Sequence, residues 1–356
     1  MKILHIAAIK NDPCSGVCVV VPAHINHQKD KAKVALLNIV NSPIDEIEKQ
    51  FLYTGGDWTK NVSEEFMEPD IVIFHEVYHI EFARIANSLR KRNIPYVIIP
   101  HGCLVVGAQH KKRWKKIIAN IFFFHSFIYK ASSIQYLSED ESKNTLFNVP
   151  SFVCTNGMEI PSVHKDKFHD NEIIISYVGR LEYRVKGLDL LIEAVSRIKD
   201  TLIDNHVLIH IYGPDRDASH LKIKKLIDQY HVNDLIVVHD AILFEKKVSV
   251  LLNSDLFIQT SRHEGMPMGI LEAMSLGIPC IITRGTSLGD IVEKNDAGWV
   301  ADNNVNSISD CIIEALKKKE EWEWKSRNAR NLLISRYSWS IISREMLNFY
   351  QKHTNI

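Results

Sequence analysis

With 356 residues the chain is long for a single hydrophobic core, so two domains are the default expectation. It is 46% hydrophobic and 24% charged with no low-complexity tract, which excludes a disordered or fibrous protein. Acidic and basic residues balance at 43 each, leaving no global field to draw in nucleic acid, and no run of about 20 apolar residues spans a bilayer.

In chain order, residues 2–8 (KILHIAA) read as a short buried strand reached without a signal peptide. A Pro13/Gly16 loop follows, which would bring backbone N–H groups toward a ligand, then an apolar segment with Val17, Val20, Val21 and Ile25 at helical spacing. VALLNIV (34–40), DIVIF (70–74) and YVII (96–99) are strands, with a helix over about 77–92 and a long helical segment over about 108–131. SIQYLS (133–138) is a strand, Ser138 with Glu141 forms a capping box for the next helix, and FVCT (152–155) closes this half. The polar connection after Asn156-Gly157, to about 170, is the domain boundary. Six cysteines form no CxxC pair, and the Cys14/Cys18 spacing lacks a second Cys/His pair to complete a zinc site. Reduced thiols fit a cytoplasmic location.

The second half repeats the alternation. Strands fall at 174–179, 207–213, 235–239, 256–261 and 279–283, with helices at about 187–199, 217–230, 245–253, 267–276 and 287–294. Such alternation implies parallel sheets covered on both faces. The expected fold class is therefore α/β, two doubly wound Rossmann-like domains facing across a cleft, spanning 1–160 and 161–337. The tail is helical, and its last piece, about 338–356, packs back on the first domain through Ile341, Ile342, Met346, Phe349 and Tyr350. No GxGxxG follows the first strand, which argues against a nicotinamide dehydrogenase.

The stretch 255–279, DLFIQTSRHEGMPMGILEAMSLGIP, carries the chemistry. An apolar strand passes through a polar loop into a helix whose first position is set by Pro267. A helix capped at Ser261 by Glu264 would place Pro267 in its interior, so the loop reading is preferred. Glu264 then lies in the loop and Glu272 on the helix, while Gly265 and Gly269 keep the backbone bare. Two carboxylates and an open helix start suit a phosphorylated sugar, whose anion and hydroxyls need opposite partners. Arg180 and Lys186 follow a buried strand in GRLEYRVKG, at the same sheet edge, as two cations for a diphosphate. His101, in Pro100-His101-Gly102 at a strand end, reads as a sugar contact or proton carrier, with a structural imidazole as the rival. His24, His27, His75 and His79 read as structural. Asp215-Arg-Asp217 reads as acids in the first turn of a helix rather than as metal ligands.

Residues 111–116 (KKRWKK) and the apolar run after them carry two readings: an interfacial segment on an anionic membrane surface through 111–129, or a core helix with a basic first turn.

Taken together, these residues resemble the family 4 glycosyltransferases of the GT-B fold, the retaining nucleotide-sugar enzymes. The resemblance is strongest over about 172–302, in GRLEYRVKG and in EGMPMGILE, which matches the family's E-x7-E signature as Glu264 and Glu272. It implies that Arg180 and Lys186 hold the donor diphosphate and that Glu264 contacts the donor sugar. The backbone of Gly265, Met266, Pro267 and Met268 would meet sugar and phosphate, Glu272 the ribose, and His101 the sugar pocket. Gly16 matches the first-domain glycine loop, where Ser15-Gly16 replaces Gly-Gly. The expected partners are a nucleotide-sugar donor and a saccharide acceptor, lipid-linked at the inner face of the cell membrane, in surface-polysaccharide synthesis. No cofactor, metal or nucleic acid is expected. The alternatives are another GT-B enzyme, inverting or epimerising, and a decayed sugar-nucleotide-binding protein.

Overall fold

The computed structural model describes residues 1–12, 15–106, 109, 120–242, 244–264 and 266–352. They fall into two compact units, Met1–Gly157 with Trp339–Ile356, and Met158–Ser338.

The first unit runs β1 (Lys2–Ala7), α1 (Gly16–Gln28), β2 (Lys33–Asn38), β3 (Gln50–Leu52), β4 (Ile71–His75), α2 (Ile80–Lys91), β5 (Tyr96–Ile99), α3 (His125–Tyr129), β6 (Ser133–Tyr136), α4 (Glu139–Lys143) and β7 (Ser151–Val153). Its strands form one parallel sheet in the order β3-β2-β1-β4-β5-β6-β7. Both faces are covered. Leu4, Ile6 and Phe74 pack with Phe82 and Phe127 on one side, while Ile3, Ile71 and Val97 meet Val21 and Ile25 on the other. That second side also takes Trp339, Ile342, Met346 and Tyr350 of α13 (Trp339–Lys352), the last helix of the chain.

In the second unit come β8 (Ile173–Val178), α5 (Leu188–Arg197), α6 (Lys199–Asp204), β9 (Val207–Tyr212), α7 (Ser219–Gln229), β10 (Ile236–His239), α8 (Phe244–Leu252), β11 (Leu256–Gln259), α9 (Met268–Ser275), β12 (Cys280–Thr283), α10 (Gly289–Lys294), β13 (Gly298–Ala301), α11 (Val305–Lys317) and α12 (Trp322–Arg336). The sheet is again parallel, in the order β10-β9-β8-β11-β12-β13. Leu188, Ile192, Ile223, Ile308 and Ile312 cover one face; Leu251, Ile270, Met274, Val292 and Leu333 cover the other. Each sheet reverses its winding direction beside its first strand, between β1 and β4 and between β8 and β11. In open α/β sheets ligands bind at the carboxyl ends of the strands at such a point.

Some local expectations change. Strands β3 and β13 are too short, or too broken by glycine, to show an alternating pattern. The helix expected from 217 begins at Ser219, because Asp217 and Ala218 take left-handed backbone at φ 56° and 54°. Asp215 thus precedes the helix, and its Oδ1 accepts from the His220 N–H at 2.9 Å. The long helix expected over 108–131 is seen at its end, as a π-helical turn at Asn120–Phe124 leading into α3. Residues 110–119, with the basic cluster 111–116, lie outside the described residues.

Candidate functional site

The carboxyl edge of the second sheet gathers three loops. The first leaves β8 and carries Gly179, Arg180 and Lys186. Gly187 caps α5 in left-handed backbone at φ 63°, where a Cβ would lie 1.9 Å from the Thr260 carbonyl oxygen. Only glycine allows that approach. The second loop leaves β11, through Thr260 and Ser261 to Glu264, and enters α9. The two are stapled by Arg262, whose Nη1 and Nη2 donate to Asp189 in the first turn of α5 at 2.6 and 2.9 Å. Arg262 Nη1 also donates to the Arg184 carbonyl at 2.7 Å, and Arg184 Nη1 reaches Asp189 at 2.7 Å. Burial works against ionised Asp189, yet the hydrogen bonds from Arg262 and Arg184 hold its carboxyl below the usual range. The third loop follows β12, where the Gly285 carbonyl accepts from the Glu264 N–H at 2.8 Å.

On this frame Lys186 Nζ donates to Glu264 Oε1, both side chains being only about a tenth exposed. The same oxygen accepts from Gln259 Nε2 and Ser261 Oγ, each at 2.8 Å. Arg180 stands apart from this pair. It is half exposed and meets Glu182 at 3.4 Å, which Arg216 also reaches at 3.4 Å. Its backbone is pinned from below by the Tyr177 hydroxyl, which donates to the Arg180 carbonyl at 2.9 Å. Burial, and then the charges of Glu264 and Glu182, push the Tyr177 phenol well above its ordinary value. The cations are thus not a bare pair: each already has an acidic partner.

Pro267 sits one residue earlier than expected, at the N-cap of α9, and its carbonyl accepts from Ile270 and Leu271 at 3.1 and 3.2 Å. A proline at this position costs the helix no hydrogen bond. Among the described residues no side chain caps α9. Met268 is exposed, and its N–H donates to the Met266 carbonyl at 3.1 Å. Gly265 lies outside the described residues. Gly269 does not offer bare backbone to a ligand: a Cβ there would sit 2.6 Å from the Val178 carbonyl, so glycine lets α9 lie on the end of β8. Glu272, one turn on, is paired with Lys247 of α8 at 2.5 Å.

At the carboxyl edge of the first sheet, Gly16 opens α1, and a Cβ built there would meet nothing within 4 Å. His101 follows β5 with φ 48°. Its Nε2 lies 3.1 Å from His75 Nδ1, and His75 Nε2 lies 2.9 Å from His5 Nδ1. His75, read from sequence as structural, is therefore coupled to His101. His5 was not singled out at all. Ser138 does cap α4, accepting from Glu141 N–H at 3.1 Å, but the Glu141 carboxylate bridges Leu137 N–H and Gly102 N–H at 2.7 and 2.8 Å. It thereby fixes the loop that bears His101.

Tyr177, Gln259, Arg262 and Lys247 were not singled out in the sequence, and Ser261 was weighed only as a helix cap, whereas its hydroxyl donates to Glu264. Gln259, Ser261 and Arg262 stand five, three and two residues before Glu264, where a polar strand end running into a functional loop was the available signal.

The family model for glycosyl transferases group 1 matches residues 160–332. An uncharacterized glycosyltransferase of Methanocaldococcus jannaschii is 27% identical over 186 residues, 51% of this chain and 45% of that one. O-antigen chain mannosyltransferase B of Escherichia coli is 37% identical over 97 residues, 27% of this chain and 24% of that one. The chain spans less than half the length of these curated relatives. The crystal structure of Anabaena HepE in complex with UDP matches 99% of this chain and 100% of that chain with a TM-score of 0.76 at 16% identity, a likeness of fold. That fold is GT-B, two parallel Rossmann-like sheets. By the family match, the second unit of the chain is a group 1 glycosyl transferase domain.

Proposed function

We propose that this protein transfers a sugar from a nucleoside diphosphate sugar to a hydroxyl of a saccharide acceptor, with retention at the anomeric carbon. The observation that carries the reading is the edge of the second sheet. There a buried Lys186–Glu264 pair, the half-exposed Arg180 and the uncapped start of α9 are held on loops locked together through Arg262 and Asp189. Arg180, Lys186 and the helix start bind the diphosphate, and the charge that builds as it leaves is stabilised there. Glu264 accepts hydrogen bonds from the donor sugar's hydroxyls, and the backbone from Met266 through Pro267 to Met268 borders sugar and phosphate. Glu272 takes the ribose hydroxyls. Gly16 leaves the first unit's helix start unobstructed, and His101 meets a sugar hydroxyl. The departing phosphate accepts the acceptor's proton on the same face, so the step needs no separate base. Lys186 and Arg180 are paired with Glu264 and Glu182, so the donor's phosphates compete with those carboxylates for the two cations.

The acceptor in this reading is a lipid-linked saccharide of a cell-surface polysaccharide, and the protein is peripheral on an anionic membrane face. Support comes from the basic aromatic stretch 111–129 in the sequence and from the O-antigen mannosyltransferase among the relatives. Among the described residues no helix is long and apolar enough to cross a membrane.

Thermal shift against uridine, guanosine and adenosine diphosphate sugars tests the donor reading. A donor at about 100 times its Kd adds about 2.7 kcal/mol of stability. A melting temperature indifferent to all three overturns it. The anomer of the product tests retention.

A further inference from the structure

The first sheet carries a line of imidazoles of which the transfer chemistry above uses only His101, the last. His5 of β1 pairs in register with Ile73 of β4, two residues before His75, and His75 pairs with Ile99 of β5, two residues before His101. Residues two apart share a face of a strand. His5 and His75 therefore share a face on neighbouring strands, and the contact to His75 Nδ1 brings the ring of His101, just past the end of β5, into the same line at the carboxyl edge. Helix α1 supplies the end of the line, where Gln28 Oε1 lies 3.1 Å from His5 Nε2. The other end of that amide is directed away, Gln28 Nε2 donating to Met346 Sδ at 3.7 Å.

A neutral imidazole has one N–H and one lone pair. Gln28 Oε1 can only accept, so His5 donates from Nε2 and accepts at Nδ1. His75 must then donate from Nε2 and accept at Nδ1, and His101 must donate from Nε2. Its Nδ1 is left with a lone pair and no partner among the described residues. We infer that Gln28, His5 and His75 form a positioning relay that fixes His101 as the Nε2–H tautomer and presents its Nδ1 as an acceptor for a substrate hydroxyl. This rests on the reading of His101 as a sugar contact. The consequence is selectivity: a hydroxyl that donates is held, whereas a deoxy or O-methyl group at that position is not.

The surroundings keep the relay neutral. The groups facing these rings are one another, His24, His27, Gln28 and Asn156, with Trp339 against His24 and His27. No carboxylate faces them among the described residues. Burial, and then the neighbouring imidazoles, push His5 and His101 down to about 3, and His75 well below its ordinary value. Glu141 holds the backbone on the far side of His101.

Long-range proton–nitrogen correlation spectra of the full-length protein labelled with 15N-histidine read the tautomer directly. Neutral, Nε2-protonated rings at His5, His75 and His101 between pH 8 and 6 are expected; an Nδ1-protonated or charged His101 overturns the relay. The variant Gln28→Met keeps the volume and removes the terminal acceptor. It should mix the His101 tautomers and lower kcat about tenfold, the scale of one hydrogen bond, with donor KM little changed. An unaltered His101 signature in Gln28→Met overturns the relay as well, and should that variant not fold the wild-type spectrum still decides. His101→Ala separates the two levels. Full turnover there defeats His101 as a substrate contact whatever the tautomer, while lost turnover with the wrong tautomer defeats only the relay.

Discussion

Glu264 Oε1 gathers three donors, from Lys186, Gln259 and Ser261, and both ionic side chains are nearly buried, so neither partner can be removed cleanly. Breaking a buried pair leaves a charge uncompensated, at about 3–5 kcal/mol, and loss of activity in Lys186→Ala would be confounded by loss of fold. Gly187 is the other fixed point. Gly187→Ala adds a methyl 1.9 Å from the Thr260 carbonyl on backbone already at φ 63°. It should destabilise by about 2 kcal/mol or more in denaturant unfolding; a wild-type midpoint would show that the α5 cap yields instead. The imidazoles make a pH prediction. The unfolded chain protonates histidines below pH 6.5, while burial holds His5 and His101 near 3 and His24 near 4 in the fold. Stability complete above pH 6.5 is therefore lost as the pH falls toward those values, by about 1.4 kcal/mol per ring per pH unit. Thermal melts at pH 7.5 and 5.5 check this, and equal midpoints would contradict it. Of the charged residues at the candidate site, Arg180, Lys186, Glu264 and Glu272 stood out in the sequence by residue type and order, whereas Arg262, Asp189 and Lys247, which pair with one another or with them, did not. The relay was not legible, because single histidines on separate strands have no sequence pattern until register aligns them.

Among the elements, the strands and helices of both sheets were readable from apolar runs and their spacing, whereas β3 and β13 were too short to show one. The buried Asp255, just ahead of β11, was invisible for another reason: its partners are distant in sequence. Its carboxylate accepts from Lys165 Nζ at 3.0 Å, His169 N–H at 2.9 Å and Ile174 N–H at 2.9 Å, fastening the segment that leads into β8 against β11. Burial lowers the Lys165 pKa, with Asp255 opposing it. Asp255→Ala strands that ammonium and should cost about 3–5 kcal/mol in chemical denaturation. A loss below about 1 kcal/mol, the value of a surface pair, would mean that the segment is not anchored there.

For the whole molecule, two sheets with the same winding were predictable from strand–helix alternation alone. Each orders its strands outward from its first member, so loops after β1 and β4, and after β8 and β11, open at the reversal points. The chain leaves the first unit after Gly157 and returns at Trp339, where Gly157 packs directly under the Trp339 ring and backbone. What the sequence left open is how each cation is partnered, since that depends on loops brought together by the sheet. Arg180 offers the cleanest test of the donor site, because it is half exposed and its loss leaves no buried charge. The decisive measurement is acceptor-dependent release of nucleoside diphosphate by Arg180→Ala alongside the parent protein. A fall of about 10²–10³-fold in turnover at an unchanged melting temperature is predicted, the scale of one lost charge-stabilising donor; equal turnover would contradict diphosphate departure at this edge.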